Sequence, residues 1–268
     1  MQKSQVIIIA LVVVALIALV LIVRQVTPQQ GETEDVDALL ETGRAHLEAG
    51  AYEEAIADLE AAVEMAPDNS EAHFMLGQAY HQAGELLKAS DAFRTVVKLD
   101  PNNAAAHHNL GVTYFQLQEA QSAEAEFQAA LEIDPDDPDT HYQLGATYLV
   151  LALSGNDPTA PPDPDLLEKT IAQFEKALEL QEGKPEALIG MGNVYILQEK
   201  YAQASEVLQQ AVEQVPNSPE AHYALGEAFA KMNDVEKACQ SYRRFLEQNP
   251  PQNWRIQGEQ AMSALGCP

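Results

Sequence analysis

Seven histidines and two cysteines are the residue types in this 268-residue chain best suited to metal or nucleophilic chemistry. His73, His107 and His141 recur at a constant step, and His222 stands at the same place in a later stretch of the same pattern, three residues before a Leu-Gly pair. A zinc ion takes its nitrogen ligands at about 2 Å, whereas equivalent positions of successive helical units lie on the order of 10 Å apart. These four imidazoles therefore do not converge on one ion. His107 and His108 are neighbours on a helix and point apart. The sequence contains no His-Glu-x-x-His, no Gly-rich phosphate loop and no Gly-x-Ser-x-Gly. The acidic stretch Asp134-Pro135-Asp136-Asp137 reads as a boundary between units. No catalytic constellation, cofactor site or metal site emerges, and the chain is read as a non-enzyme.

What positions these residues begins with an unbroken apolar run. Val6 to Val23 holds only Val, Ile, Leu and Ala, between Lys3 and Arg24. A run of this length without a charge predicts a membrane-spanning helix. A cleaved secretory signal is the alternative, but the run exceeds the usual apolar core of one and no small-x-small site follows it. Residues 1–24 are therefore expected to form a transmembrane signal anchor, with 25–35 a polar tether. A short amino-terminal tail bearing Lys3 favours a cytoplasmic start and an extracytoplasmic remainder. The expected setting is a single-pass bacterial inner-membrane protein.

Charge narrows the partners. Fifteen Lys and Arg oppose 41 Asp and Glu, a formal net charge of −26. Nucleic-acid binding draws on Lys and Arg to displace counterions from phosphate, so nucleic acid is excluded. A polybasic membrane-surface domain is excluded for the same reason.

A single period organises the rest. Pro67, Pro101 and Pro135 are 34 residues apart, as are Pro216 and Pro250. The gap from Pro135 to Pro216 holds two such steps and a 13-residue insertion. In phase with the prolines run Leu76-Gly77…Tyr80, Leu110-Gly111…Tyr114, Leu144-Gly145…Tyr148, Met191-Gly192…Tyr195 and Leu225-Gly226…Phe229. A second signature follows: Ala55…Leu59, Ala89…Phe93, Ala123…Phe127, Thr170…Phe174, Ala204…Leu208 and Ala238…Tyr242. Glycine inside a helix costs roughly 1 kcal/mol relative to Ala, and close approach of the paired helix at its small Ala position is the expected compensation. Proline closes each unit because it cannot continue a helix.

These motifs resemble the tetratricopeptide repeat, a helix-turn-helix unit of this length. The resemblance implies an all-α fold, a right-handed α-α superhelix, here with an N-terminal transmembrane helix and a C-terminal cap helix. Six units are expected over 36–252: 36–69, 70–103, 104–137, 138–184 with the insertion, 185–218 and 219–252. Residues 253–268 form the cap helix and tail that such arrays require. The Pro/Asp-rich stretch 154–165 reads as a loop, either a tolerated surface insertion or a partner contact. The four in-register histidines stand where the family places an aromatic and are expected to pack between helices. Cys239, early in the last unit's second helix, and Cys267, after the cap, are close enough in topology for a disulfide. Two free thiols fit the sequence equally.

The resemblance further implies a concave groove on the first helices. Carried over residue by residue, it is lined by Phe74, Met75, Gln78, His108, Asn109, Phe115, Tyr142, Gln143, Leu149, Ile189, Asn193 and Tyr223. The Lys, Arg and Asn clamp that family members use for chaperone tails is missing. An apolar and aromatic floor with scattered amides suits a peptide or helical segment with apolar anchors, and an acidic rim favours a basic one. The expected function is a non-enzymatic protein-interaction scaffold held at the membrane by residues 6–23, with no small-molecule substrate and no cofactor. The alternatives are a regulatory or assembly subunit of a membrane enzyme, an export or cytochrome-maturation complex, or an envelope-protein chaperone.

Overall fold

The computed structural model describes residues 30–154 and 161–267, and every regular element among them is an α-helix. The apolar run at 6–23 lies outside the described residues. Among the described residues no helix is long and apolar enough to cross a membrane. The chain divides into two compact units, one ending at Pro101 and the other beginning at Asn102.

The first unit holds two hairpins, α1 (Gln30–Glu48) with α2 (Tyr52–Met65) and α3 (Ser70–Gln82) with α4 (Leu86–Leu99). Residues 25–35 were expected to be a tether throughout, but α1 already begins at Gln30. Arg44 ties α1 to α3, meeting Glu41 at 2.6 Å and Glu71 at 2.7 Å.

The second unit continues with α5 (Ala104–Gln116) and α6 (Ala120–Ile133), then α7 (Pro138–Leu153) and α8 (Pro164–Leu180). After these come α9 (Pro185–Leu197) and α10 (Tyr201–Gln214), α11 (Pro219–Lys231) and α12 (Val235–Glu247), and a single helix α13 (Gln252–Leu265). The 13-residue insertion is shared among three places. Helix α7 has 16 residues where the other first helices from α3 onward have 13, and α8 has 17 where α2, α4, α6 and α10 have 14. The remainder lengthens the connection. Residues 164–165, expected in the loop, are helical because Asp163 accepts from the backbone N–H of Asp165 and Leu166, with Pro164 at the first helical position. Asp163 itself donates its N–H to the Ala152 carbonyl at 3.1 Å, which fastens the return of the chain to α7.

Local chemistry sets the hairpin ends. Asn69, Asn103, Asp137 and Ser218 cap α3, α5, α7 and α11, each accepting from backbone N–H groups of the first turn. The turns close on a left-handed residue: Gly84, Gln118, Glu199 and Asn233 hold positive φ at equivalent places. The next N–H then bonds back to the ring-bearing residue of the first helix, as Glu85 to Tyr80 at 2.8 Å and Lys200 to Tyr195 at 2.8 Å.

The signature glycines have a different partner from the one expected. A Cβ on Gly77 or Gly111 would meet the ring of Phe93 or Phe127 at 2.7 Å, and one on Gly226 would meet Tyr242 at 2.9 Å. The close approach is therefore by the bulky residue four positions after the small Ala. The alanines, fully buried at Ala55, Ala89, Ala123, Ala204 and Ala238, let the helix backbones draw near enough for that ring to enter.

The last hairpin is closed by α13. Trp254 lies 5.0 Å from the Phe245 ring and 5.6 Å from Tyr223, centroid to centroid, and Gly258 rests on Phe245. A disulfide joins Cys239 in α12 to Cys267 after α13, with Cα atoms 5.6 Å apart. The bridge covalently fastens the covering helix to the last hairpin.

Candidate functional site

The in-register histidines His73, His141 and His222 share one recurrent bond. The Nε2 atoms of His73, His141 and His222 lie 2.8, 3.0 and 2.9 Å from the carbonyls of Pro67, Pro135 and Pro216. Nε2–H must donate, because a carbonyl only accepts. The ring that begins one unit thus holds the turn that ended the previous one. The fifth unit has Leu188 in place of the histidine and Glu182 in place of the proline, so bond donor and turn residue are lost together. His107 turns its Nδ1 to Glu126 at 2.7 Å. Among the described residues no cluster of His, Cys, Asp and Glu can hold a metal ion.

The expected groove residues fall in several different places. Phe115, Tyr142, Leu149, Ile189 and Asn193 come together in the second unit, around one open cavity of about 930 Å³. His108 and Asn109 line a smaller one of about 190 Å³ beside Asp134, Asp137 and Thr140. There His108 Nδ1 bonds Thr140 Oγ1 at 2.6 Å, and the Thr140 hydroxyl donates in turn to Asp137. Burial holds the His108 pKa below its ordinary value, against the pull of Asp137 and Asp139. In the first unit, Phe74 packs edge-on against Phe93 at 5.8 Å, and Gln78 is half-buried beside it on α3.

Two assignments are corrected. Met75 is 5% exposed and belongs to the core, where its flexible thioether fills interior space. Tyr223 packs on Tyr242, Phe245 and Trp254, so its ring serves the contact with α13. Gln143 lies in neither cavity; it is half-buried on α7, and its carbonyl accepts from Thr147 Oγ1.

The large cavity has a floor that the sequence pattern did not single out. Phe174 of α8 stacks on Tyr142 at 5.7 Å and an interplanar angle of 26°. One edge of the ring meets Gly145, and the other meets Gly190 of α9. Helix α9 packs against both α7 and α11, and the segment 214–220 between α10 and α11 supplies the far wall. Asn193, Gln214 and Asn217 offer amides, and Glu186 and Glu220 offer carboxylates. Among the described residues, no Lys, Arg or His lines the cavity. Lys184, 5.8 Å from the Tyr142 ring, is buried and paired with Asp139 at 2.6 Å. Burial, with Glu186 adding to it, raises the Tyr142 pKa, so its hydroxyl stays neutral and able to donate.

Other cations are held against rings near the hairpin turns. Lys88 lies over Tyr80, Lys169 over Tyr148, Lys200 over Tyr195 and Lys237 over Phe229, at 4.9 to 6.0 Å. The cavity is thus apolar at its base and acidic at its mouth. It can seat an apolar side chain while its amides and carboxylates meet the backbone and charges around it.

Helical hairpins recurring at a 34-residue step, packed through a small residue and a bulky apolar one, define a helical repeat protein. Models of the tetratricopeptide repeat match residues 46–108, 87–138, 126–160, 192–233 and 219–251. Together they reach over more than half of the chain, which belongs to the tetratricopeptide repeat family. A search of curated proteins finds no match. Among solved structures, Pseudomonas aeruginosa pilF is similar with a TM-score of 0.69 at 20% identity, over 87% of this chain and 99% of that one. MamA from Desulfovibrio magneticus RS-1 reaches 0.60 at 21% identity, over 67% and 94%. YrrB, described as a TPR protein with an unusual peptide-binding site, reaches 0.59 at 19% identity, over 75% and 97%. At these identities the likeness is one of fold.

Proposed function

We propose that this chain is a membrane-anchored, non-catalytic scaffold that holds a partner protein by an apolar segment seated in the large cavity of its second unit. Proteins of this repeat family act as protein-interaction scaffolds, and the anchoring and the segment are the specific parts of the proposal. The observation that carries it is the cavity itself. Tyr142, Leu149 and Ile189, above the buried Phe174 ring, leave apolar surface open to solvent within a space of about 930 Å³, and such surface on a monomer marks an interaction site. YrrB, with its peptide-binding site, is a precedent for the same fold taking a peptide. The uncharged run at 6–23 supports the anchor. The Cys239–Cys267 disulfide supports an extracytoplasmic repeat domain, since such bonds persist in oxidising compartments.

Photo-cross-linking from position 189 in intact membranes, followed by mass spectrometry, tests the reading. A cross-linked segment that is lost on Tyr142→Ala supports it. Cross-links that map only to positions outside the cavity would overturn it. Stoichiometric recovery of one catalytic chain would instead assign a regulatory subunit. A reporter fused after Pro268 that is active only in the cytoplasm would overturn the sidedness.

A further inference from the structure

The second residue of each first helix shows what the cavity lacks. In the units beginning at residues 70, 104, 138, 185 and 219, this position holds Glu71, Ala105, Asp139, Glu186 and Glu220. An acidic residue there stabilises the helix dipole on its own account. Glu71 and Asp139 are nevertheless each met by a cation of the chain, Arg44 at 2.7 Å and the buried Lys184 at 2.6 Å. Glu186 and Glu220 are exposed, and among the described residues no salt bridge engages either. Glu220 accepts a bond from Ser218 Oγ at 2.9 Å, which leaves its charge uncompensated. These two unanswered carboxylates are also the two that line the large cavity.

We propose that the cavity selects a segment with a bulky apolar anchor between two basic residues, and that Glu186 and Glu220 are the specificity-determining groups that read those charges. The proposal rests on the reading of the cavity as the partner site. The two carboxylates are one repeat apart, on the order of 10 Å. In an extended segment, where each residue advances about 3.3 Å, a same-face order of Lys, anchor, Lys brings flexible ammonium groups to both. The anchor then enters between them towards Phe174, and the amides of Asn193, Gln214 and Asn217 are placed to pair with the segment's backbone. A partner with acidic flanks would meet two carboxylates and no cation, which excludes it by repulsion.

The test is fluorescence anisotropy with the full chain in detergent and three labelled peptides of Ser and Gly. They carry Lys-Phe-Lys, Glu-Phe-Glu or Lys-Ala-Lys on alternate positions. The first is expected to bind, more weakly as salt rises, and each of the others to bind roughly tenfold more weakly or worse. Glu186→Gln with Glu220→Gln should weaken the first peptide by roughly five- to tenfold, with the fold retained and only a small fall in melting temperature from the lost helix-dipole interaction. Glu186→Lys with Glu220→Lys should transfer the preference to the acidic peptide. Equal binding of the basic and acidic Phe peptides, abolished by Tyr142→Ala, overturns the charge selection and leaves the cavity reading standing. Binding by neither of the two Phe peptides overturns both.

Discussion

Phe174 fills the space that a side chain on Gly190 would take: a Cβ built there would stand 2.6 Å from the ring. The equivalent positions in the other units are Glu41, Met75, Asn109, Gln143 and Ala224, so among the six units this one alone has a glycine there, and outside them Gly258 of α13 meets Phe245 in the same way. The contact at Gly190 makes the Phe174 ring the floor of the large cavity. Because a fully buried ring in a close-packed core has little room to retreat, Gly190→Ala is expected to destabilise the second unit by about 1–3 kcal/mol, despite the better helix propensity of Ala. Urea denaturation followed by circular dichroism measures this. A variant as stable as the parent would show that the ring yields freely.

The disulfide and the lone tryptophan give a second test. Trp254 is the single Trp of the chain, and its place on Phe245 and Tyr223 depends on α13 being held down. The bridge spans 28 residues, for which loop closure alone predicts about 3–4 kcal/mol of stabilisation. Helix α13 has one fully buried residue, Gly258, and otherwise packs through the partly buried Trp254, Ala261, Met262 and Leu265. Cys239→Ala with Cys267→Ala is expected to shift Trp254 emission to the red and to speed amide exchange through 252–265 before other helices are affected. Unchanged emission and exchange would mean that aromatic packing alone suffices.

The repeat was legible because its carriers are local. Proline spacing, the Leu-Gly-x-x-Tyr stretch and the Ala signature all report a helical hairpin without reference to distant residues. The cavity was less legible, for two reasons. Its floor, Phe174, carries the same signature as Phe93 and Phe127, and what distinguishes it is Gly190 in the following unit. Its far wall, 214–220, lies between helices and has no periodic mark. The glycine-to-ring contact was misassigned to alanine because both residues recur in phase, and periodicity alone does not say which one faces the gap. Tyr223 was placed in the groove by its register, yet its surroundings are set by α13, which is not part of the repeat. The start of α1 at Gln30 was missed because acidic residues read equally as a solvated tether and as a favourable first helical turn.

The histidine latch predicts a graded mutational effect. His141 is 9% exposed, donates Nε2–H to Pro135 and meets Gln173 Oε1 at 2.7 Å through Nδ1. His141→Ala removes both bonds and leaves a buried gap, with an expected loss of about 2–3 kcal/mol. His141→Phe restores the ring volume without the bonds and should recover part of that loss. His73→Ala, with its bond to Pro67 exposed, should cost under about 1 kcal/mol. Denaturation midpoints of the three variants measure the order. Equal effects at His73 and His141 would rule out burial as the source of the difference.

His108 gives the second unit a pH dependence of definite sign. Its ring packs edge-on to Phe127 at 5.9 Å and bonds Thr140, with Asp137 at 3.7 Å. Burial lowers its pKa from 6.5, outweighing the attraction of Asp137 and Asp139 for the charged form. The unfolded chain therefore binds a proton at a higher pH than the fold does. The stabilisation this group contributes is complete above about pH 6.5. It is lost progressively as pH falls through that value towards the lowered folded pKa, and then stays constant until carboxylates titrate. His108→Gln keeps a hydrogen-bonding group at Thr140 and cannot titrate, so it should flatten the stability profile within that window. Melting temperatures of the parent and the variant, taken at close pH intervals below neutrality, measure the difference. A parent that gains stability on acidification through this window, or a variant with the same slope as the parent, would show that another group governs it.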